Sequence, residues 1–308
     1  METRRIGSLE VSVIGLGTNN FGGRMDEPAT QKVVDAALEA GINFFDTADI
    51  YGGTASEEQL GRTLGSRRDE VIIATKFAVP YEGMEGGGSP DYVRRAAAAS
   101  LRRLGTDHID LYQMHFPDQK TPIAETLGAL GELVAAGTVR ELGCSNFSVE
   151  QLRQAEAAAG SGPRFVSVQN QYSVLHRTPE TDGVLEECTR QGLAFLPYFP
   201  LADGLLTGKY RPGEPPPAGT RLAGVPADRR EKAMSQANLD KVAALTDLAE
   251  SRGHTVLDLA FAWLLSRPAL ASVIAGATKP EQVAANARAA GWSLDDELAA
   301  RIDEIAPA

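Results

Sequence analysis

Cysteine is nearly absent: Cys144 and Cys188 are the only two in 308 residues. Each stands alone inside a segment that reads as regular structure, which excludes a disulfide framework and a thiolate metal cluster and makes a reducing, cytoplasmic setting the expectation. Apolar runs long enough to span a bilayer are also missing, and Met1 to Leu9 carries charge without the apolar core of a signal peptide. Positive charge is in deficit, with 30 Lys and Arg against 41 Asp and Glu and a net charge of -11. Repulsion over such a surface argues against DNA, RNA or anionic lipid as partners, yet leaves room for a local basic pocket around a phosphorylated small molecule. Histidine is scarce too. Of His108, His115, His176 and His254, only His115 falls at a predicted strand end, so the convergent ligands of a metal-dependent barrel hydrolase are not expected, and neither is a metal.

What the chain has is alternation. With 43% hydrophobic residues it can bury one large core, and short β-branched or apolar runs alternate with stretches of helical period. Eight runs read as strands: 13–17, 43–46, 71–75, 110–114, 142–145, 165–170, 194–198 and 272–274. Between them, helices are predicted over 29–39, 90–103, 123–135, 149–159, 180–191 and 255–265. Ala40-Gly41 and Ala136-Gly137 close two of these helices where a left-handed cap needs glycine. The opening stretch Arg5 to Val11 reads either as a hairpin plugging a barrel or as a frayed terminus. Lys209 to about Asp240, with Pro215-Pro216-Pro217, is too irregular for a simple connection, and reads as a disordered insertion or as a flap over a ligand. No composition shift marks a second domain, so one domain over 1–308 is predicted.

Alternation alone does not separate a closed (β/α)8 barrel from an open doubly wound sheet. The open dinucleotide-binding sheet carries Gly-x-Gly-x-x-Gly after its first strand, whereas Gly15-Leu16-Gly17-Thr18-Asn19-Asn20 lacks the third glycine. In a parallel barrel the carboxyl ends of different strands converge on one open face. Asp46, Lys76 and His115 end the second, third and fourth predicted strands, and Tyr51 follows Asp46 in the next loop. Singly, each has an ordinary explanation as a cap, a solvated end or a packed ring. Together they form a workable acid system.

These residues and their flanks resemble the aldo-keto reductase superfamily, the wider group that includes the β-subunits of potassium channels, along nearly the whole chain. The resemblance is carried by Ala40 to Ala48 with Tyr51-Gly52, Ile73 to Lys76, Asp110 to His115, Gly143 to Phe147 and Val168 to Tyr172. It extends through Pro197 to Ala202 with Gly204 and Gly208-Lys209, and through Ile274 to Asn286. It implies an α/β fold, a (β/α)8 TIM barrel with a short N-terminal β-hairpin and a long loop after the seventh strand. It also implies reduction of an aldehyde or ketone to an alcohol by hydride from NADPH, with NADH as the alternative cofactor. Tyr51 would be the general acid, made stronger by the Lys76 ammonium. Asp46 would hold Lys76, and His115 would orient the carbonyl oxygen. The rival that the resemblance itself raises is a nicotinamide-binding regulatory subunit with little turnover, although no segment ahead of the barrel reads as a tethered effector.

The same resemblance assigns cofactor contacts. Ser145, Asn146 and Gln169 would bind the carboxamide, with Asp46 nearby, and Tyr198 would stack on the nicotinamide. Gly17, Thr18 and Asn19 would approach the ribose or nicotinamide, Phe199, Pro200 and Leu201 would touch the cofactor, and Gly204 and Gly208 with Lys209 would reach the pyrophosphate. Ile274, Gly276, Thr278, Lys279, Gln282 and Asn286 would hold the adenosine half at a helix N-terminus. Gln282 stands where the superfamily usually has an arginine for the 2′-phosphate, which weakens the implied preference for NADPH. Asn20, Phe21, Phe77, Phe116 and Phe147 would form an aromatic-lined pocket for a small carbonyl substrate.

Overall fold

Each strand of a closed barrel has an inward and an outward face that alternate residue by residue, and in this chain the inward face changes character along its length. The computed structural model describes residues 1–81 and 83–308. A hairpin, β1 (Thr3–Ile6) and β2 (Leu9–Ser12), precedes eight parallel strands: β3 (Ile14–Gly17), β4 (Phe44–Asp46), β5 (Ile72–Phe77), β6 (Ile109–Met114), β7 (Val139–Ser145), β8 (Phe165–Gln171), β9 (Ala194–Tyr198) and β10 (Val273–Gly276). Seven parallel pairings run in the order β10-β3-β4-β5-β6-β7-β8-β9. The seam between β9 and β10 is bridged just ahead of β10, where Phe195 N–H donates to Ala269 O at 2.8 Å and Ala271 N–H to Phe195 O at 3.1 Å. The fold is thus a (β/α)8 barrel.

The helices form the outer layer: α1 (Glu27–Glu39), α2 (Ala55–Leu64), α3 (Pro90–Leu104), α4 (Ile123–Ala135), α5 (Val149–Ala159), α6 (Thr178–Thr181), α7 (Val184–Gln191), α8 (Ala227–Ala233), α9 (Gln236–Glu250), α10 (Val256–Leu265), α11 (Pro280–Ala289) and α12 (Asp296–Ile305). Among the described residues no helix is long and apolar enough to cross a membrane. Three differences from the sequence reading have local causes. α2 escapes the pattern because Gly52 and Gly53 precede it and Gly61 interrupts it. Gly61 is needed, since a Cβ there would lie 2.2 Å from Leu104 O. The single helix predicted over 180–191 is split into α6 and α7 at Gly183, which adopts a left-handed φ of 83°. The irregular segment after Lys209 holds the short helix α8, and α9, which follows it, docks through Leu239, Val242, Leu245 and Ala249.

The terminal hairpin resolves in favour of the plug. Ile6, Leu9 and Val11 are at most 1% exposed and pack with Phe44, Ala74, Leu111 and Leu196 inside the barrel. Ser8 N–H is held by Glu141 Oε1 at 2.7 Å, at the start of β7. Two residues further along the same inward faces the apolar residues give way to polar ones. Phe44 is followed by Asp46, Ala74 by Lys76, Leu111 by Gln113 and Leu196 by Tyr198. The barrel therefore has a dry, plugged amino end and a polar layer just below its carboxyl-end mouth.

Candidate active site

Lys76 is the centre of that polar layer. Its Nζ donates to Asp46 Oδ1 at 2.6 Å and to Thr47 O at 2.9 Å, with the side chain fully buried. Burial alone would pull its pKa down, but Asp46 and then Tyr51 outweigh it and hold the ammonium above the ordinary lysine value. The second oxygen of Asp46 accepts from Gln169 Nε2 at 2.8 Å and Gln113 Nε2 at 3.2 Å. Gln113 is a member of the site that strand-end reasoning missed. It lies one step below His115 on the inward face, where the alternation of the strand would have pointed to it.

Tyr51 opens the 3-10 turn Tyr51–Thr54, whose Gly52 and Gly53 take left-handed φ values of 61° and 65°. Gly52 is obligatory, because a Cβ would sit 2.4 Å from Phe21 O. The turn sets the phenol ring with its centroid 5.1 Å from Lys76 Nζ. Although part of the side chain remains accessible at the mouth, burial raises the phenol above its usual pKa, Asp46 adds to this, and Lys76 opposes it. The expected influence of the ammonium is present, but in this cavity desolvation is the larger effect. The phenol therefore keeps its proton at neutral pH.

His115 meets Tyr51 edge to face, with ring centroids 6.0 Å apart at 80°. Burial, helped by Lys76, pushes its pKa down to about 3, so the ring is neutral. Its Nδ1 is buried with no partner among the described residues. Behind β5, Asp49 is fully buried, and among the described residues neither carboxylate oxygen has a partner. Burial, with the nearby Glu57 adding and Arg103 opposing, raises its pKa to about 8.

The residues assigned to a cofactor lie around the same mouth, several already engaged with one another. Asn146 Nδ2 donates to His115 O at 3.0 Å and Ser145 Oγ at 3.1 Å, while Asn146 Oδ1 accepts from Tyr198 Oη at 2.9 Å. Ser145 Oγ donates to Gln169 O at 2.6 Å. Thr18 uses both its N–H and its hydroxyl on Asp46 O, at 2.9 and 3.1 Å, and Gly17 pairs with Asp46 in the sheet. Asn19 and Asn20 border Gly276, where a Cβ would lie 3.4 Å from Asn19 Oδ1 and 3.3 Å from Asn20 Nδ2. Gln282 Oε1 accepts from Thr278 N–H at 2.7 Å and Thr278 Oγ1 at 3.2 Å, with Lys279 exposed and Asn286 and Ile274 buried nearby in sequence. After β9 come Phe199, Pro200 and Leu201, and then Gly204, where a Cβ would lie 2.8 Å from Lys209 Nζ. Among the described residues no carboxylate lies within ion-pairing distance of Lys209, whose pKa is lowered by burial and by Arg24. Ala78, Asn146 and Phe199, each following a barrel strand, hold left-handed φ values of 93°, 62° and 52°. Backbone strain of this kind persists where the surroundings over-determine it.

The five residues expected to line the substrate pocket differ in where the fold places them. Phe21 and Phe77 are 0% exposed and Phe147 3%, and they belong to the core between sheet and helices. Phe77 stacks on Tyr112 at 4.7 Å and Phe147 packs edge-on to Phe165 at 5.7 Å. Asn20 is 7% exposed. Of the predicted aromatic wall, only Phe116 stands open, 49% exposed and stacked on His115 at 5.2 Å. Tyr51, Tyr198 and Phe199 supply the other rings at the mouth.

The model of the Aldo/keto reductase family matches residues 13–307. The chain belongs to that family. This aldo/keto reductase is 39% identical to "Uncharacterized oxidoreductase YrpG" of Bacillus subtilis, over 97% of the chain and 93% of that protein. It is 31% identical to "L-glyceraldehyde 3-phosphate reductase" of Escherichia coli O157:H7, over 96% and 89%. A "Probable voltage-gated potassium channel subunit beta" of Arabidopsis thaliana is 32% identical, over 94% and 91%. The family thus spans relatives named as oxidoreductases and relatives named as channel subunits. Among the described residues of this aldo/keto reductase, no three His, Cys, Asp or Glu side chains are grouped as metal ligands.

Proposed function

We propose that this aldo/keto reductase reduces an aldehyde or ketone to the alcohol with NADPH, using Tyr51 as general acid. The observation that carries the reading is the buried Lys76 ammonium, held by Asp46 and set beside the Tyr51 phenol, with neutral His115 against the same ring. The residues present fit a nicotinamide dinucleotide. Lys209, with no carboxylate partner among the described residues, suits a diphosphate, Gly204 lets its ammonium come close to the backbone, and the ring of Tyr198 is anchored through its hydroxyl.

The bound reduced nicotinamide supplies hydride to the carbonyl carbon. The protein's task is at the oxygen, where negative charge develops and a proton must arrive. Tyr51 presents that proton, and Lys76 stabilises the phenolate left behind. Asp46 keeps Lys76 in place through the 2.6 Å contact. A neutral His115 offers the oxygen a hydrogen bond and adds no second positive charge to compete with Lys76.

The test is titration of the protein with NADPH and NADH by fluorescence, followed by a panel of aldehydes and ketones monitored by nicotinamide absorbance. Tight binding with turnover supports the reading. Tight binding with no turnover across the panel would replace it with a nicotinamide-binding regulatory role.

A further inference from the structure

Gln113 is fully buried on β6, and its amide does two unlike things. Its Nε2 donates to Asp46 Oδ2 at 3.2 Å, while its Oε1 has no partner among the described residues. Ser167 Oγ, also fully buried, is likewise unpartnered. Both border the space that Gly143 leaves. A Cβ at residue 143 would lie 2.6 Å from Ser167 Oγ, 3.0 Å from Gln113 Cγ and 3.4 Å from Gln113 Oε1. Gly143 has no left-handed φ to account for it, so its absent side chain serves packing: it lets the amide of Gln113 lie across the barrel to Asp46. A leucine at 113 would fill the volume without leaving an amide oxygen unpaired. The amide is therefore explained by what its N–H does.

We propose that Gln113 is a positioning residue for the reduction: it acts through Asp46 to set the Lys76 ammonium against Tyr51, and Gly143 provides its seat. The proposal rests on the carbonyl-reducing reading above. Asp46 has two oxygens with different duties, Oδ1 on Lys76 and Oδ2 on the two glutamine amides. Without the Gln113 donor, more of the carboxylate's charge falls on Lys76, and less of the ammonium's field is left for the phenol. Asp46 itself already acts on Tyr51 in the direction that weakens the acid.

The test compares Gln113→Leu, Gln113→Glu and Gly143→Ala with the wild type, in steady-state kinetics across pH and in thermal unfolding of the cofactor-free protein. Gln113→Leu should lower kcat about ten- to hundredfold, since a hydrogen bond to a charged group is lost, and should leave NADPH affinity within about twofold. Gly143→Ala should reproduce the direction of that loss with the amide still present. Gln113→Glu is the decisive variant. Two carboxyl groups in contact share a proton, so the protonated glutamic acid can donate to Asp46 as the amide did. Its kcat should approach the wild type at acid pH and fall through a new limb as the proton is lost. In the cofactor-free protein the same proton loss should lower the melting temperature, and Asp46→Asn should weaken that pH dependence by removing the like charge. A pH-independent loss in Gln113→Glu, or an unfolding profile unaffected by Asp46→Asn, would overturn the positioning role. A wild type that binds NADPH yet reduces nothing overturns the reduction reading and the proposal with it, whereas a turning-over wild type with a flat Gln113→Glu profile overturns the proposal alone.

Discussion

Lys76 Nζ lies 2.6 Å from Asp46 Oδ1, and the two side chains are 0% and 4% exposed. A pair this deep resists removal of either member, because the survivor is left charged and desolvated. Lys76→Met should cost about 3–5 kcal/mol of unfolding free energy, read by urea denaturation. The double variant Asp46→Asn with Lys76→Met should recover most of that stability. Carbonyl reduction should be lost in both, which separates the pair's chemical use from its structural one.

Tyr51→Phe removes one hydroxyl and keeps the ring. NADPH affinity should be nearly unchanged while the reduction rate falls by roughly 10²- to 10⁴-fold, the usual worth of a general acid. Fluorescence titration and single-turnover kinetics on the same sample make the comparison. Undiminished turnover would reject Tyr51 as the acid.

His115 stays neutral over the working range because its pKa is pushed down to about 3. The native state thus binds fewer protons than the unfolded chain between the ordinary histidine value and pH 3. Stability should fall as the pH drops through that window, by at most ~1.4 kcal/mol per pH unit for this group. His115→Asn should remove that part of the acid sensitivity in melting curves. No limb in the rate profile near pH 6.5 should belong to His115.

Asp49 has the opposite sign. Burial raises its pKa to about 8, so the folded state binds the extra proton, and stability declines as pH rises from the ordinary carboxylate range toward 8. Asp49→Asn matches the neutral acid in shape and cannot ionise. The variant should be more stable than the wild type by roughly 1–3 kcal/mol at pH 8, with the difference vanishing below pH 4. Melting temperatures across pH decide it, and a destabilised variant at pH 8 would contradict the prediction.

Gln282 is folded back onto Thr278 at the start of α11. Gln282→Arg would release the Thr278 donors and add a guanidinium suited to a phosphate. NADPH affinity should rise by about tenfold or more relative to NADH, measured by paired titrations. An unchanged ratio would remove residue 282 from the adenosine site.

The alternation of strands and helices and the strand-end positions of Asp46, Lys76 and His115 were written in local sequence, whereas closure of the sheet into a barrel was implied only by the resemblance of whole motifs. Period-two and period-3.6 patterning reflects burial on one face, and burial is what folding rewards first. Even the glycines at 41 and 137 marked helix ends through a purely local constraint. Non-local geometry decided the rest. Whether Ile6, Leu9 and Val11 plug the barrel depends on meeting Phe44 and Leu196 from other strands. Whether Phe77 faces a substrate or Tyr112 depends on which face of β5 it occupies. The acidity of Tyr51 was set by a contest between desolvation and the Lys76 field, and only packing fixes the distances and dielectric in that contest. The alternation of β6 turns Gln113 inward without saying what it meets there, and Asp49 was silent altogether: an amide or carboxyl group in a string of letters acquires its chemistry from neighbours that the closed barrel brings to it.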